Sequence, residues 1–188
     1  AMPRFGSHAS VSAQIASSSG GPSTTTFMSV DARIDANNVR IETLAHTSEA
    51  VAHAALEVAY GLHKDRAGWL SVPVRVAVLK RFAALVGEQA EALARQAARE
   101  GGKPLADSRV EIARAINGVE VAIAEIPQLH GTEVPMGQTA SSAQRIAHTF
   151  REPRGVVLAI SAFNHPFNLI IHQVITAIAA GCPVLVKP

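Results

Sequence analysis

Glu152-Pro-Arg-Gly-Val-Val-Leu-Ala-Ile-Ser-Ala-Phe-Asn-His-Pro-Phe-Asn-Leu-Ile-Ile-His-Gln-Val-Ile-Thr-Ala-Ile-Ala-Ala-Gly-Cys-Pro-Val-Leu-Val-Lys-Pro188 reads as one strand–helix–strand unit. Gly155–Ile160 is a short apolar run, the pattern of a strand buried on both faces. Ser161–His165 is a polar break. Pro166 opens a helix, where its fixed φ and missing N–H do no harm. Phe167, Ile170, Ile171, Val174, Ile175 and Ile178 repeat at helical spacing. Gly181 stops the helix and Pro183 prevents its resumption. Val184–Val186 is a second buried strand, so the helical crossover implies parallel pairing. Polar residues interrupt the unit at Asn164, after the first strand, and at Lys187, at the end of the second. Both are placed at carboxyl ends of parallel strands, where open α/β sheets bind ligands.

The 188 residues make one domain of ordinary size, and 48% of them are apolar, enough for a core. Aromatics are few, and the net charge of +2 comes from basic residues interspersed with acidic ones. Neither nucleic acid nor a membrane surface is expected as a partner. One cysteine excludes an internal disulfide and fits a reducing compartment. No apolar run reaches the roughly 18 residues that span a bilayer, and no secretion signal is legible. A cytoplasmic protein is expected.

Residues 1–28 are expected to form a disordered or cloning-derived tail, rich in Ser, Gly, Thr and Ala up to Thr26, with Met28 a candidate native start. Val30–Leu44 carries no strong signal. A first helix starts near Thr47 or Ser48, with a stripe of Val51, Ala55, Val58 and Leu62. One long helix runs from Pro73 to Gly101-Gly102, with Val74, Val78, Phe82, Leu85, Leu93 and Ala97 on its apolar face. The next follows Pro104 and carries Leu105, Ile112, Ile116, Val119, Ile123 and Ile126 inward, closing at Pro127. Thr132–Met136 and Gln144–Arg151 read as a polar hairpin that pairs outside the core. Two parallel strands cannot cover the apolar faces of all these helices, so the residues are expected to belong to a larger domain.

From about Thr47 to Pro188 the sequence resembles the N-terminal part of the NAD(P)-dependent aldehyde dehydrogenase superfamily. The residues that carry this are Pro153-Arg-Gly-Val, the aromatic-Asn-x-Pro turn at Phe163–Pro166, the helix ending Ala180-Gly-Cys, and the strand ending Lys187-Pro188. Trp69 with Arg75, and Glu100-Gly-Gly-Lys-Pro104, add to it. The resemblance implies an α/β fold: the N-terminal part of a Rossmann-type cofactor-binding domain with a protruding oligomerisation β-hairpin. It assigns residues 29–131 and 152–188 to an incomplete cofactor-binding domain and residues 132–151 to the hairpin, with the catalytic domain outside this chain.

The resemblance also implies the chemistry. An aldehyde is oxidised to a carboxylic acid with NAD or NADP through attack by a cysteine. Asn164 donates its amide to the developing oxyanion. Lys187 bonds the adenosine ribose of the cofactor. The backbone of Ile160 and Ser161 lines the nicotinamide side, and Phe163 packs near the substrate tunnel. Many members have Trp where Phe163 stands and Pro where Ala162 stands. The alternative for Asn164 is an Asx turn before Pro166. The alternative for Lys187 is a strand-end lysine whose head reaches water. No metal site is expected, since His165 and His172 lack ligand spacing. Cys182, after a helix-ending glycine, reads as an inert thiol, with the nucleophile and the glutamate base beyond Pro188, so that the chain alone is expected to be inactive. A homodimer or homotetramer is expected. The Ser161–Pro166 turn resembles bacterial branches acting on small polar, phosphonate-bearing or aromatic aldehydes. Alternatives are a CoA-acylating aldehyde dehydrogenase and an inactive assembly or nucleotide-binding module.

Overall fold

The computed structural model describes residues 25–27, 32–34, 40–43 and 47–187, the first three segments as strands only. Residues 1–24, Met28 and Pro188, on which some of the expectations above fall, lie outside the described residues.

The expected crossover forms. Strand β6 (Val157–Ile160) leads through helix α5 (Pro166–Ala180) into strand β7 (Val184–Lys187), and the two strands pair in parallel from Val157 opposite Val184 to Ile160 opposite Lys187. Gly181, at φ 84°, terminates α5 in the left-handed conformation that glycine adopts at little cost. Its N–H donates to Ile178 O at 2.9 Å and the Cys182 N–H to Ala177 O at 2.8 Å, so two otherwise orphaned carbonyls are satisfied. Arg75 reaches the same helix end and donates to the Ala179 carbonyl.

Three strands before the first helix were not legible. Thr25–Phe27 (β1) pairs in parallel with β7, giving the sheet order β1-β7-β6. It overlaps the tail expected over residues 1–28. Three residues are too short to show a period, and β1 gains its bonds from β7 rather than from its own pattern. Strands β2 (Ala32–Ile34) and β3 (Arg40–Thr43) form a separate antiparallel pair. The hairpin is narrower than expected. Only β4 (Glu133–Val134) and β5 (Ala147–His148) pair, with Thr132 and Thr149 bonded at their base.

Helix α1 (Glu49–Lys64) is capped by Ser48, whose Oγ accepts from the Val51 N–H at 3.3 Å. Its buried face is Ala55 and Ala59 against Leu185, whereas Val51 and Val58 point outward. The stripe expected on Val51 and Val58 is therefore corrected: small alanines let the helix lie close to the sheet. The long second helix is also corrected to two, α2 (Val72–Glu88) and α3 (Ala90–Gly101), broken at Gln89. A single non-helical residue shifts the apolar phase little, so periodicity ran across it. Val74 and Val78 are exposed, and Leu79 and Val86 are the buried residues of α2. Helix α4 (Leu105–Glu125) packs on α2, α3 and α5.

The core lies between the sheet and these helices. Ala159, Val184 and Val186 meet Phe167, Ile171 and Ile175 of α5, which in turn meet Leu79, Ile112, Ala115 and Val119. On the other sheet face, among the described residues, α1 covers Leu185, with Val156 packed beside it. Leu158 and Ile160 are 56% and 51% exposed, so β6 is buried on one face and not on both as its apolar run suggested.

Candidate functional site

The carboxyl ends of β6 and β7 lie side by side. The Ser161 N–H donates to Lys187 O at 2.9 Å, just as the Val157 N–H donates to Pro183 O four residues earlier. Odd-numbered backbone groups of β6 thus face β7, and those of Ile160 face the free edge. The Gln173 side chain occupies that edge: the Ile160 N–H donates to its Oε1 at 2.9 Å, and its Nε2 donates to Ile160 O at 2.8 Å. The side chains of Ile160 and Lys187 are exposed. That of Lys187 has no partner among the described residues. The strand pairing therefore brings Ile160, Ser161 and Lys187 to one edge of the sheet.

The turn that follows is held at both ends. The Ser161 hydroxyl donates to Ala162 O at 3.4 Å or Pro166 O at 3.3 Å. Beyond it, Glu111 of α4 accepts the Phe167 and Asn168 N–H groups on one carboxylate oxygen at 2.8 and 2.9 Å. These are two of the donors that a helix N-terminus leaves orphaned, and a carboxylate is the favoured partner there. Lys103 donates to the other oxygen, and His165 Nδ1 stands 3.5 Å from the ammonium and 3.8 Å from the carboxylate. Gly102, at φ 67°, turns the chain out of α3 so that Lys103 comes back over α4. The Glu111 side chain is fully buried and that of Lys103 is 16% exposed.

Asn164 sits on the outside of this turn. It is exposed, and its amide makes no hydrogen bond among the described residues. Helix α5 begins after His165 with no side-chain cap, and Pro166 has no N–H to donate to an Asx turn from Asn164. Asn164 lines an open groove of about 470 Å³ together with Lys103, Asp107, Val110, Glu111, Arg114, His165 and Asn168. Phe163 is 65% exposed and does not line this groove.

Sequence reasoning singled out Asn164 and passed over Glu111. A signal was present. Glu111 falls on the buried stripe of Ser108, Ile112, Ala115 and Val119, where an acid needs a partner, and Lys103 precedes it by two helical turns.

Cys182 belongs to the C-terminal cap of α5. It is a free, half-buried thiol packed against the core. His172 is exposed, and its ring lies over Gly118 of α4, where an added Cβ would stand 3.0 Å from Nε2. Among the described residues no group of three His, Cys, Asp or Glu side chains could hold a metal ion. No helix among them is long and apolar enough to cross a membrane.

The sequence profile described as the aldehyde dehydrogenase family matches residues 23–188. The chain belongs to the aldehyde dehydrogenase family. It is 39% identical over 114 residues to the 3-sulfolactaldehyde dehydrogenase of Priestia aryabhattai, covering 61% of this chain and 24% of that protein. It is 36% identical over 124 residues to the N-succinylglutamate 5-semialdehyde dehydrogenase of Burkholderia mallei (strain SAVP1), covering 65% and 24%. Among solved structures, the NADP complex of the glyceraldehyde-3-phosphate dehydrogenase GapN from Methanocaldococcus jannaschii superposes with a TM-score of 0.74 at 28% identity, over 84% of this chain and 33% of that one. The NAD-dependent benzaldehyde dehydrogenase from Corynebacterium glutamicum gives the same four values. This aldehyde dehydrogenase chain thus spans about a quarter of the curated relatives it matches. Its mixed α/β architecture is that of the N-terminal part of the family's Rossmann-type domain.

Proposed function

We propose that this chain supplies the oxyanion donor and part of the cofactor platform of an enzyme that oxidises an aldehyde to a carboxylic acid with NAD or NADP. The observation that carries the reading is the unengaged Asn164 amide, exposed on a turn fixed at both ends and beside the carboxyl ends of parallel strands. When a thiolate adds to the aldehyde carbonyl, the oxygen gains charge that a neutral, preoriented N–H donor stabilises. Cys182 is badly placed to supply that thiolate: it sits in the C-terminal cap of α5, packed against the core, while Asn164 precedes the other end of the same helix. The reading therefore assigns the nucleophile to another part of the enzyme.

The bound nicotinamide would accept hydride from the adduct. Lys187 offers its exposed ammonium to the adenosine ribose, and Ser161 lies across from it through the strand pairing. Ile160 contributes its exposed side chain, because Gln173 engages its outward backbone groups. Phe163 extends the wall beyond the Asn164 turn. The groove favours a short polar aldehyde, since Val110 is the one apolar residue in its lining. Both curated relatives above are named for aldehydes with anionic tails. The hairpin, with Ile146 and Phe150 exposed by 81% and 83%, is proposed as the homo-oligomer contact.

The test is formation of reduced nicotinamide by protein expressed from the complete reading frame, with a panel of sulfonated, carboxylated and alkyl aldehydes. Asn164→Ala lowers kcat by about 10²–10³. Lys187→Ala raises KM for the cofactor and leaves kcat near wild type. Retention of full kcat by the Asn164 variant refutes the assignment.

A further inference from the structure

Among the described residues Glu111 makes no hydrogen bond to the exposed amide of Asn164, yet its carboxylate takes three donors beside the groove that Asn164 lines. Its carboxylate is fully buried. It is held by Lys103 from the Gly101-Gly102 turn and by two amides of the first turn of α5. Burying an ion pair is a poor way to gain stability, because a well-packed apolar residue of similar volume does as well or better. What a carboxylate does provide at this place is direction. Both N–H groups converge on a single oxygen, so α5 can start at one position and rotation relative to α4 and no other without leaving buried donors unpaired.

Asn164 is three residues from the first of these amides. Pro166, with its fixed φ, lies between them and removes a soft dihedral. The Ser161 hydroxyl bonds the Pro166 carbonyl from the other side. Helix α4, which carries Glu111, also supplies the groove wall through Asp107, Val110 and Arg114. One carboxylate therefore registers the turn against the wall.

We propose that Glu111, steadied by Lys103, is a positioning residue that fixes the orientation in which Asn164 presents its amide to the reacting carbonyl. The inference rests on the reading of Asn164 as the oxyanion donor. The Glu111 side chain is fully buried, so its effect reaches the groove through that residue.

A double-mutant cycle in protein from the complete reading frame tests it. Glu111→Ala lowers kcat about tenfold, within the about 10²–10³ available from one oxyanion donor, and leaves KM for NAD(P) unchanged. In an Asn164→Ala background the same substitution causes no further loss of kcat, since the group it orients is gone. Glu111→Gln, which keeps an acceptor oxygen toward the two amides, recovers most of the rate. Equal losses in both backgrounds mean a merely structural role and overturn the inference while leaving Asn164 as the donor. A wild-type rate for Asn164→Ala overturns the donor reading and this inference with it. Where Glu111→Ala does not fold, Glu111→Gln and Lys103→Met enter the same cycle. Hydrogen exchange supplies a readout independent of turnover. The Phe167 and Asn168 amides exchange at least tenfold faster in Glu111→Ala, while Glu111→Gln and the paired amides of β7 keep their protection. Unchanged protection of the Phe167 and Asn168 amides in Glu111→Ala also overturns the inference.

Discussion

Replacing Gly181 by alanine separates backbone strain from side-chain packing at the helix end that turns the chain into β7. Gly181 has φ 84°, and an added Cβ would stand 3.1 Å from Pro153 Cγ and 3.2 Å from Arg75 Nη1. The left-handed conformation costs a non-glycine residue about 1–2 kcal/mol. Arg75 cannot yield freely, because its guanidinium is committed to the Ala179 carbonyl, and its Nε is buried without a partner among the described residues. Displacing a charged donor from its acceptor adds about 1.5–3 kcal/mol. The sum is about 2–5 kcal/mol, a large part of the stability of an ordinary domain. With an m-value of about 2 kcal/mol/M, the urea midpoint falls by about 1–2.5 M at unchanged m.

Gly118→Ala is the control. Gly118 lies inside α4, and its added Cβ would meet His172, an exposed side chain free to turn away. Alanine favours a helix interior by about 0.5–1 kcal/mol over glycine, so this variant is as stable as wild type or slightly more so. Gly181→Asn, which tolerates the left-handed region, falls between Gly181→Ala and wild type. Equal urea midpoints for Gly181→Ala and Gly118→Ala would refute the reasoning.

Two further outcomes follow from the packing and the charges. Leu79→Ala, at a side chain 1% exposed between α2 and the α4–α5 layer, costs about 2–5 kcal/mol, read by thermal denaturation. At the α3–α4 junction, Glu91 is bonded in two places by Arg109 at 2.8 Å and is also paired with Arg95. The hydrogen bond from Arg109 is the main cause that lowers its pKa from 4.5 to about 2. A carboxylate with a depressed folded pKa gives stability that is full above its unfolded pKa and is lost as pH falls through the folded one. Acid titration of unfolding therefore loses this contribution between about pH 4.5 and 2, and Arg109→Ala flattens that limb. Added salt flattens it too, because the pair is exposed.

The crossover was legible because each of its signals is local. A proline at the first turn of α5, a glycine just past its end and a 3.6-residue apolar period all act within a few residues of where they are read. Asn164 stood out as a polar interruption of an apolar unit at a strand's carboxyl end, and the role expected of it came from the family resemblance. Two kinds of information were not local. β1 is a strand because β7 offers it an edge, and its three residues carry no pattern of their own. Glu111 matters because the chain folds Lys103 and the start of α5 onto it, contacts separated by 8 and 56 residues. The break at Gln89 and the outward turn of Val51 and Val58 show the same limit. Apolar spacing tells which residues can share a face, and the neighbouring layer decides which face is covered.

Gln173 gives the sheet a property that its strand order alone would not. A primary amide carries a donor and an acceptor in the same relation as a peptide unit, and here one side chain stands where the next strand would place its backbone. The helix that follows β6 thereby closes, at Ile160, the strand it grew from. An open row of N–H and C=O groups invites any extended chain to add on, a hazard proteins blunt by short edges, charges or cover. With Ile160 engaged, a foreign strand approaching the free side of β6 would find its pairing interrupted one residue before the turn that carries Asn164. The protection is reversible, since two neutral hydrogen bonds of one flexible side chain can be exchanged for two of a correctly registered backbone. Adding a strand at this edge therefore has to displace the two Gln173 hydrogen bonds first.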